Sequence, residues 1–145
     1  TLVETKFEEF DAALSPDGRW LAYSSNESGQ LELYVRPFPG TSTAKWQVST
    51  AGGAEPHWTR DGRELLFVSN DGTLTAVQVL PGPTFTMGTR QPLFSVQPFV
   101  GGVRSWDVAP DDRFLMIRIG AGGQAGNELI VVENIFPELR KKGAP

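Results

Sequence analysis

Ala12-Ala13-Leu14-Ser15-Pro16-Asp17-Gly18-Arg19-Trp20-Leu21-Ala22-Tyr23-Ser24-Ser25-Asn26 aligns without a gap on Pro56-His57-Trp58-Thr59-Arg60-Asp61-Gly62-Arg63-Glu64-Leu65-Leu66-Phe67-Val68-Ser69-Asn70. A third copy follows as Trp106-Asp107-Val108-Ala109-Pro110-Asp111-Asp112-Arg113-Phe114-Leu115-Met116-Ile117-Arg118. Asp17, Asp61 and Asp111 form an invariant column, as do Arg19, Arg63 and Arg113, and Leu21, Leu65 and Leu115. The turn aspartates stand 44 and 50 residues apart. A fixed period of this length marks a repeat architecture, so the chain is read as three copies of one supersecondary unit.

Each copy is a short apolar run, an Asp-Gly type turn and a second run rich in aromatic and branched residues, which is a β-hairpin signal. The aspartate bonds its own backbone two residues on, and Gly18 and Gly62 supply the positive φ that such turns need. Asp112 replaces the glycine in the third copy, which predicts a strained turn or one of another type there. A third strand is expected at Leu31–Phe38, Leu74–Leu80 and Glu128–Phe136, and a fourth at Lys45–Thr50 and Gln91–Val96. Four antiparallel strands in roughly 45 residues is one β-propeller blade. An up-and-down barrel or a sandwich is the alternative, but neither requires an Asp-Gly hairpin to recur at one position.

The expectation is therefore an all-β chain, one propeller unit of three four-stranded blades over residues 8–50, 53–96 and 103–136, with a tail at 137–145. Thr1–Thr5 precede the first hairpin as Lys45–Thr50 precede the second, and read as the outer strand of a blade, of this or a partner chain. Three blades cannot close a ring, since propellers have about four to eight. Two such arcs related by a twofold axis would make six, so a homodimer is expected, or else the remaining blades of a longer chain. An open arc would expose strand edges and blade faces that favour association.

Ser15-Pro16-Asp17-Gly18-Arg19-Trp20-Leu21-Ala22-Tyr23, followed by Ser25-Asn26-Glu27-Ser28-Gly29 and Glu32-Leu33-Tyr34-Val35, closely resembles the TolB-type, WD-like propeller repeat. The second copy matches well, and the third keeps Pro110-Asp111 but loses the glycine. Tyr34-Val35-Arg36-Pro37-Phe38-Pro39-Gly40 and the ending Val131 to Arg140 are similar to the C-terminal propeller half of bacterial serine/threonine kinase sensor regions, although no kinase motif is present. The resemblance implies six-bladed rings, a periplasmic or extracytoplasmic placement, and interaction rather than catalysis.

Composition narrows the chemistry. Of 145 residues 16 are Gly and 11 Pro, an excess that fits many turns and short elements. The net charge is −4, and no block of like charges offers a grip on phosphate backbones, so nucleic acid is not an expected partner. There is no Cys, which removes disulfides and thiolate chemistry but is silent on compartment. No run of 18 apolar residues and no export signal pattern is present, so no membrane contact by this segment is expected.

No enzyme motif emerges. His57 is the single histidine and lacks any ligand spacing for zinc, and no Gly-x-Ser-x-Gly elbow accompanies it, so neither a metal nor a cofactor is expected. The glycine clusters Gly52-Gly53, Gly101-Gly102 and Gly120-Ala121-Gly122-Gly123 lack the Lys-Ser/Thr of a phosphate cradle and read as connectors. Trp20, Trp46, Trp58 and Trp106 are expected to pack between blades. Asp17, Gly18, Asp61, Gly62 and Asp111 are expected to build turns. Innermost strands line a propeller channel, which places Asp11, Glu55 and Ser105 in one column and His57 and Asp107 two residues on, with Arg104 beside them. Such an acidic mouth suits a cationic ligand or a peptide. The expected function is a non-enzymatic binding or sensor module; the alternatives are a substrate-gating accessory domain of a hydrolase and a purely structural self-assembling module.

Overall fold

A computed structural model describes residues 5–97, 106–109, 113–119 and 127–132, and the chain divides into two compact units, Thr1–Val96 and Gln97–Pro145. The first unit holds two four-stranded antiparallel sheets. One runs in the order β1 (Glu9–Leu14), β2 (Trp20–Ser25), β3 (Glu32–Pro37), β4 (Trp46–Gln47). The other runs β5 (Ala54–Trp58), β6 (Glu64–Val68), β7 (Thr73–Leu80), β8 (Thr86–Ser95). In the second unit β9 (Trp106–Val108), β10 (Phe114–Ile119) and β11 (Asn127–Val132) form a three-stranded sheet in the order β11-β10-β9. Strand order equals chain order in all three, as short hairpin connections dictate.

The first hairpin shows why. The Gly18 N–H donates to the Ser15 carbonyl over 2.9 Å, with Pro16 and Asp17 between them, and Gly18 lies at φ +71°. Asp17 Oδ1 accepts from the Ser15 hydroxyl (2.6 Å) and from the Arg19 N–H (3.1 Å). The second hairpin repeats this with Thr59, Asp61, Gly62 at φ +67° and Arg63. An added Cβ at Gly18 would meet nothing within 4 Å, so the glycine is required by its left-handed backbone and not by crowding.

The fourth strands differ from the sequence expectation in length. The regular register of β4 covers Tyr34↔Gln47 and Val35↔Trp46, after which the Val48 N–H bonds to the Leu33 carbonyl (2.7 Å), so the strand is shorter than Lys45–Thr50. Strand β8 runs from Thr86, well ahead of Gln91, and pairs with β7 through two irregularities. The expected outer strand at Thr1–Thr5 and the tail at 137–145 lie outside the described residues, apart from Thr5, which precedes β1 without joining a sheet. Of the third copy, the turn with Asp111 and Asp112 and the far end of Glu128–Phe136 also lie outside them.

The core of the first unit sits between its two sheets. Trp20, Ala22, Leu33 and Val35 of the first sheet pack on Leu65, Phe67, Val77 and Val79 of the second. Phe85, just before β8, lies 5.6 Å from both Trp20 and Trp46 and 6.4 Å from Trp58, ring centre to ring centre. Three of the four tryptophans therefore serve inter-sheet packing, where each contributes large apolar area and offset ring contacts. The sheets are also stitched by polar contacts. Trp58 Nε1 donates to the Ala13 carbonyl (3.1 Å), Arg19 Nη1 to the Gly82 carbonyl (3.0 Å), and Arg90 to the Val48 carbonyl.

A buried carboxylate fixes the connector from β4 to β5. Glu32 is 1% exposed, and its oxygens accept from the Ser49 hydroxyl, from the Gly52 N–H at 3.0 Å and from the Gln30 amide. Ser49 Oγ in turn accepts from the Leu33 N–H (2.8 Å), and the Gly53 N–H reaches the Leu31 carbonyl (3.0 Å). Gly52 sits at φ +88°, and a Cβ there would come within 2.0 Å of the Asn70 side chain. The Gly52-Gly53 pair is thus a tight inter-sheet connector.

Candidate functional site

Strands β1 and β5 stand at the edges of their sheets and pack beside each other. Both are interrupted by a bulge at the same repeat position. Pairing with β2 shifts between Phe10 and Ala13, and pairing with β6 shifts between Ala54 and His57. Within each bulge an acidic residue takes the left-handed conformation, Asp11 at φ +52° and Glu55 at φ +55°. Among the described residues these are the two non-glycine residues with positive φ. Cβ-bearing residues reach this region at a cost of about 1 kcal/mol or more, and bulges re-aim the side chains they carry.

Glycine is the default at such a position, yet both copies carry a carboxylate. Asp11 and Glu55 are each half-buried, as is His57, whose Nδ1 lies 3.2 Å from the Glu55 carbonyl oxygen. The first unit therefore gathers Asp11, Glu55 and His57 on two adjacent edge strands. Asp107 lies on β9 in the other unit, where its Oδ1 accepts from the Val108 N–H at 2.8 Å. Arg104 and Ser105 fall outside the described residues. Among the described residues no group of three or more His, Asp or Glu side chains is arranged to hold a metal ion.

A cleft lies at another place in the first unit. At the end of the two sheets where the β1–β2 and β5–β6 turns emerge, a cleft of about 480 Å³ is lined by both turn aspartates, both following arginines and the end of β7. Asp17 holds Arg19 Nε at 2.7 Å, and the Asp61–Arg63 pair is looser at 3.9 Å. The hydrogen bond from Ser15, reinforced by Arg19, holds the Asp17 carboxyl down at about 2, so it stays ionised. The sequence signals for this cleft are the invariant aspartate and arginine columns, which two copies bring to a single place.

Comparison with known proteins bears on the fold. No family model matches the chain. An uncharacterized protein of Agrobacterium fabrum is 35% identical over 57 residues, a stretch covering 39% of this chain and 20% of that protein. An oligogalacturonate lyase from Vibrio parahaemolyticus, a β-propeller, superposes with a TM-score of 0.57 at 19% identity, over 81% of this chain and 32% of the lyase. TolB from Acinetobacter baumannii aligns over 94% of this chain and 43% of its own, with a TM-score of 0.45 and 12% identity. The chain is all-β with antiparallel sheets, its fold is similar to that of the propeller lyase, and it corresponds to a fraction of the length of each protein it matches.

Proposed function

We propose that this chain is a non-enzymatic propeller module of a larger bacterial assembly, a sensor or interaction domain that takes a cationic ligand or peptide at its innermost strands. The observation carrying this reading is the pair of left-handed acidic residues, Asp11 and Glu55, at matched bulges. Strain of this kind, repeated at equivalent positions and filled by carboxylates in place of glycine, is a signature of side chains held for contact. The remaining blades come from a second copy or from more of the same polypeptide, with an extracytoplasmic location.

The test is titration with tri-lysine, followed by Trp58 fluorescence and by the His57 ring resonances. Saturable binding that weakens with salt, and falls about tenfold or more in the double variant Asp11→Asn, Glu55→Gln, supports the reading. Binding that is absent, or equal in the variant, sinks it. The glycine variants Asp11→Gly and Glu55→Gly should bind as poorly while being no less stable, because they relieve the backbone.

A further inference from the structure

The cleft between the two hairpin turns lies apart from the inner-strand residues and has its own chemistry. Its carboxylates are engaged in holding their turns. Asp17 accepts from the Ser15 hydroxyl, the Arg19 N–H and Arg19 Nε, and Asp61 Oδ1 accepts from the Thr59 hydroxyl (2.9 Å) and the Arg63 N–H (3.1 Å). Its cationic groups are not used up in the same way. Among the described residues Arg19 engages Nε and Nη1 and leaves Nη2 without a partner, while the Arg63 guanidinium, on a side chain 84% exposed, makes no hydrogen bond. The Gln78 side chain on the same wall makes none either.

Arg19 is also the better placed of the two arginines. Asp17 and the Gly82 carbonyl fix its plane, and it lies 5.5 Å from the centre of the Trp20 ring. Donors held in advance lose little freedom when a ligand arrives, and a guanidinium pairs with a carboxylate through parallel N–H bonds. The remaining wall is apolar, from Val79, Leu80 and Pro81, and the volume is that of an ordinary small-ligand pocket.

We propose that this cleft binds a carboxylate joined to an apolar body, with Arg19 and Arg63 gripping the carboxylate and Leu80 and Pro81 covering the apolar part. The same chemistry is presented by the C-terminus of a peptide ending in a branched residue and by a free amphipathic acid. Arg63 swings from its loose contact with Asp61 onto the ligand, whereas Arg19 already stands in place.

The probe is N-acetyl-leucine, titrated into the whole chain while the Nε–H resonances of Arg19 and Arg63 and the Trp20 indole resonance are followed. Saturable shifts in all three are expected, with binding at least about tenfold weaker for N-acetyl-leucine amide and for Arg63→Gln, a surface change that leaves the circular dichroism spectrum unaltered. No saturable shift, or equal binding of acid and amide, or of wild type and Arg63→Gln, overturns the proposal. Acetyl-Gly-Gly-Leu distinguishes the sources: tighter binding than N-acetyl-leucine assigns the cleft to a peptide C-terminus, and equal binding to a free acid. The Asp11→Asn, Glu55→Gln variant should bind N-acetyl-leucine unchanged, so failure of the inner-strand reading and failure of this one are separate results.

Discussion

The first and second sheets carry the same turn, the same bulge in their first strands and the same buried leucine column, yet they hold their fourth strands by different means. Strand β8 has ten residues and pairs with β7 from Leu80 back to Thr73. Strand β4 has two, and beyond it the Val48 and Ser49 N–H groups both turn to the single Leu33 carbonyl, where the buried Glu32 network takes over from a regular ladder. The position equivalent to Glu32 in the second sheet is Thr73, which lies in the paired stretch and whose hydroxyl has no hydrogen bond among the described residues. Backbone groups must be satisfied one way or another. Where a ladder is too short, a carboxylate that accepts from several donors can substitute for it.

The sheets also divide the core unequally. Trp20 begins β2, 6% exposed and packed on both Trp46 and Phe85, and its counterpart at the start of β6 is the half-buried Glu64. If the inter-sheet core depends on this asymmetry, Trp20→Ala should lower the unfolding free energy by about 3–5 kcal/mol. Glu64→Ala should stay within about 0.5 kcal/mol. Urea denaturation of both variants measures the contrast, and equal losses would show that the aromatic group is not the main support.

A somewhat smaller effect separates Glu32 from Thr73. Glu32→Ala strands the Ser49 hydroxyl and the Gly52 N–H without their acceptor, at a cost of about 2–4 kcal/mol, whereas Thr73→Ala should cost about 1 kcal/mol or less. Hydrogen exchange sharpens the result, because protection should fall first at Leu33, Gly52 and Gly53 in Glu32→Ala. A uniform loss across the unit would mean that the carboxylate does not act locally.

The smallest effect concerns the turns. The Asp17 carboxyl is held at about 2 against an ordinary 3.8, so its contribution to stability is fully present above about 3.8 and is lost as pH falls through about 2. The side chain is 46% exposed and solvent screens its ion pair, so the change is modest. Asp17→Asn should flatten the stability profile between these two pH values. Denaturation midpoints of Asp17→Asn and of the unaltered chain at about pH 4 and about pH 2 measure the effect, and an equal acid loss in both would show that this carboxyl does not supply it.

Much of the fold was legible because hairpins are local. Pro16, Asp17 and Gly18 specify a turn by their own backbone preferences, and copying them 44 residues on announces a second turn. Strand ends were less legible. Nothing in Lys45–Thr50 tells that the regular ladder ends at Gln47, with Val48 and Ser49 converging on one carbonyl, because a ladder's length depends on where its partner goes. The candidate site was half visible. The alignment put Asp11 above Glu55, but the bulges that turn them were hidden, since neither residue is a glycine and register belongs to two strands at once.

Local sequence thus determined the repeat, the Asp-Gly turns, the alternation of short strands and the all-β class, since each rests on interactions between residues close in the chain. Tertiary structure alone decided that Glu32 is buried, that Phe85 joins three tryptophans and that Arg19 and Arg63 line one cleft. Those outcomes depend on how two sheets stack, where burial and the meeting of residues distant in the chain are set by packing and not by any one segment.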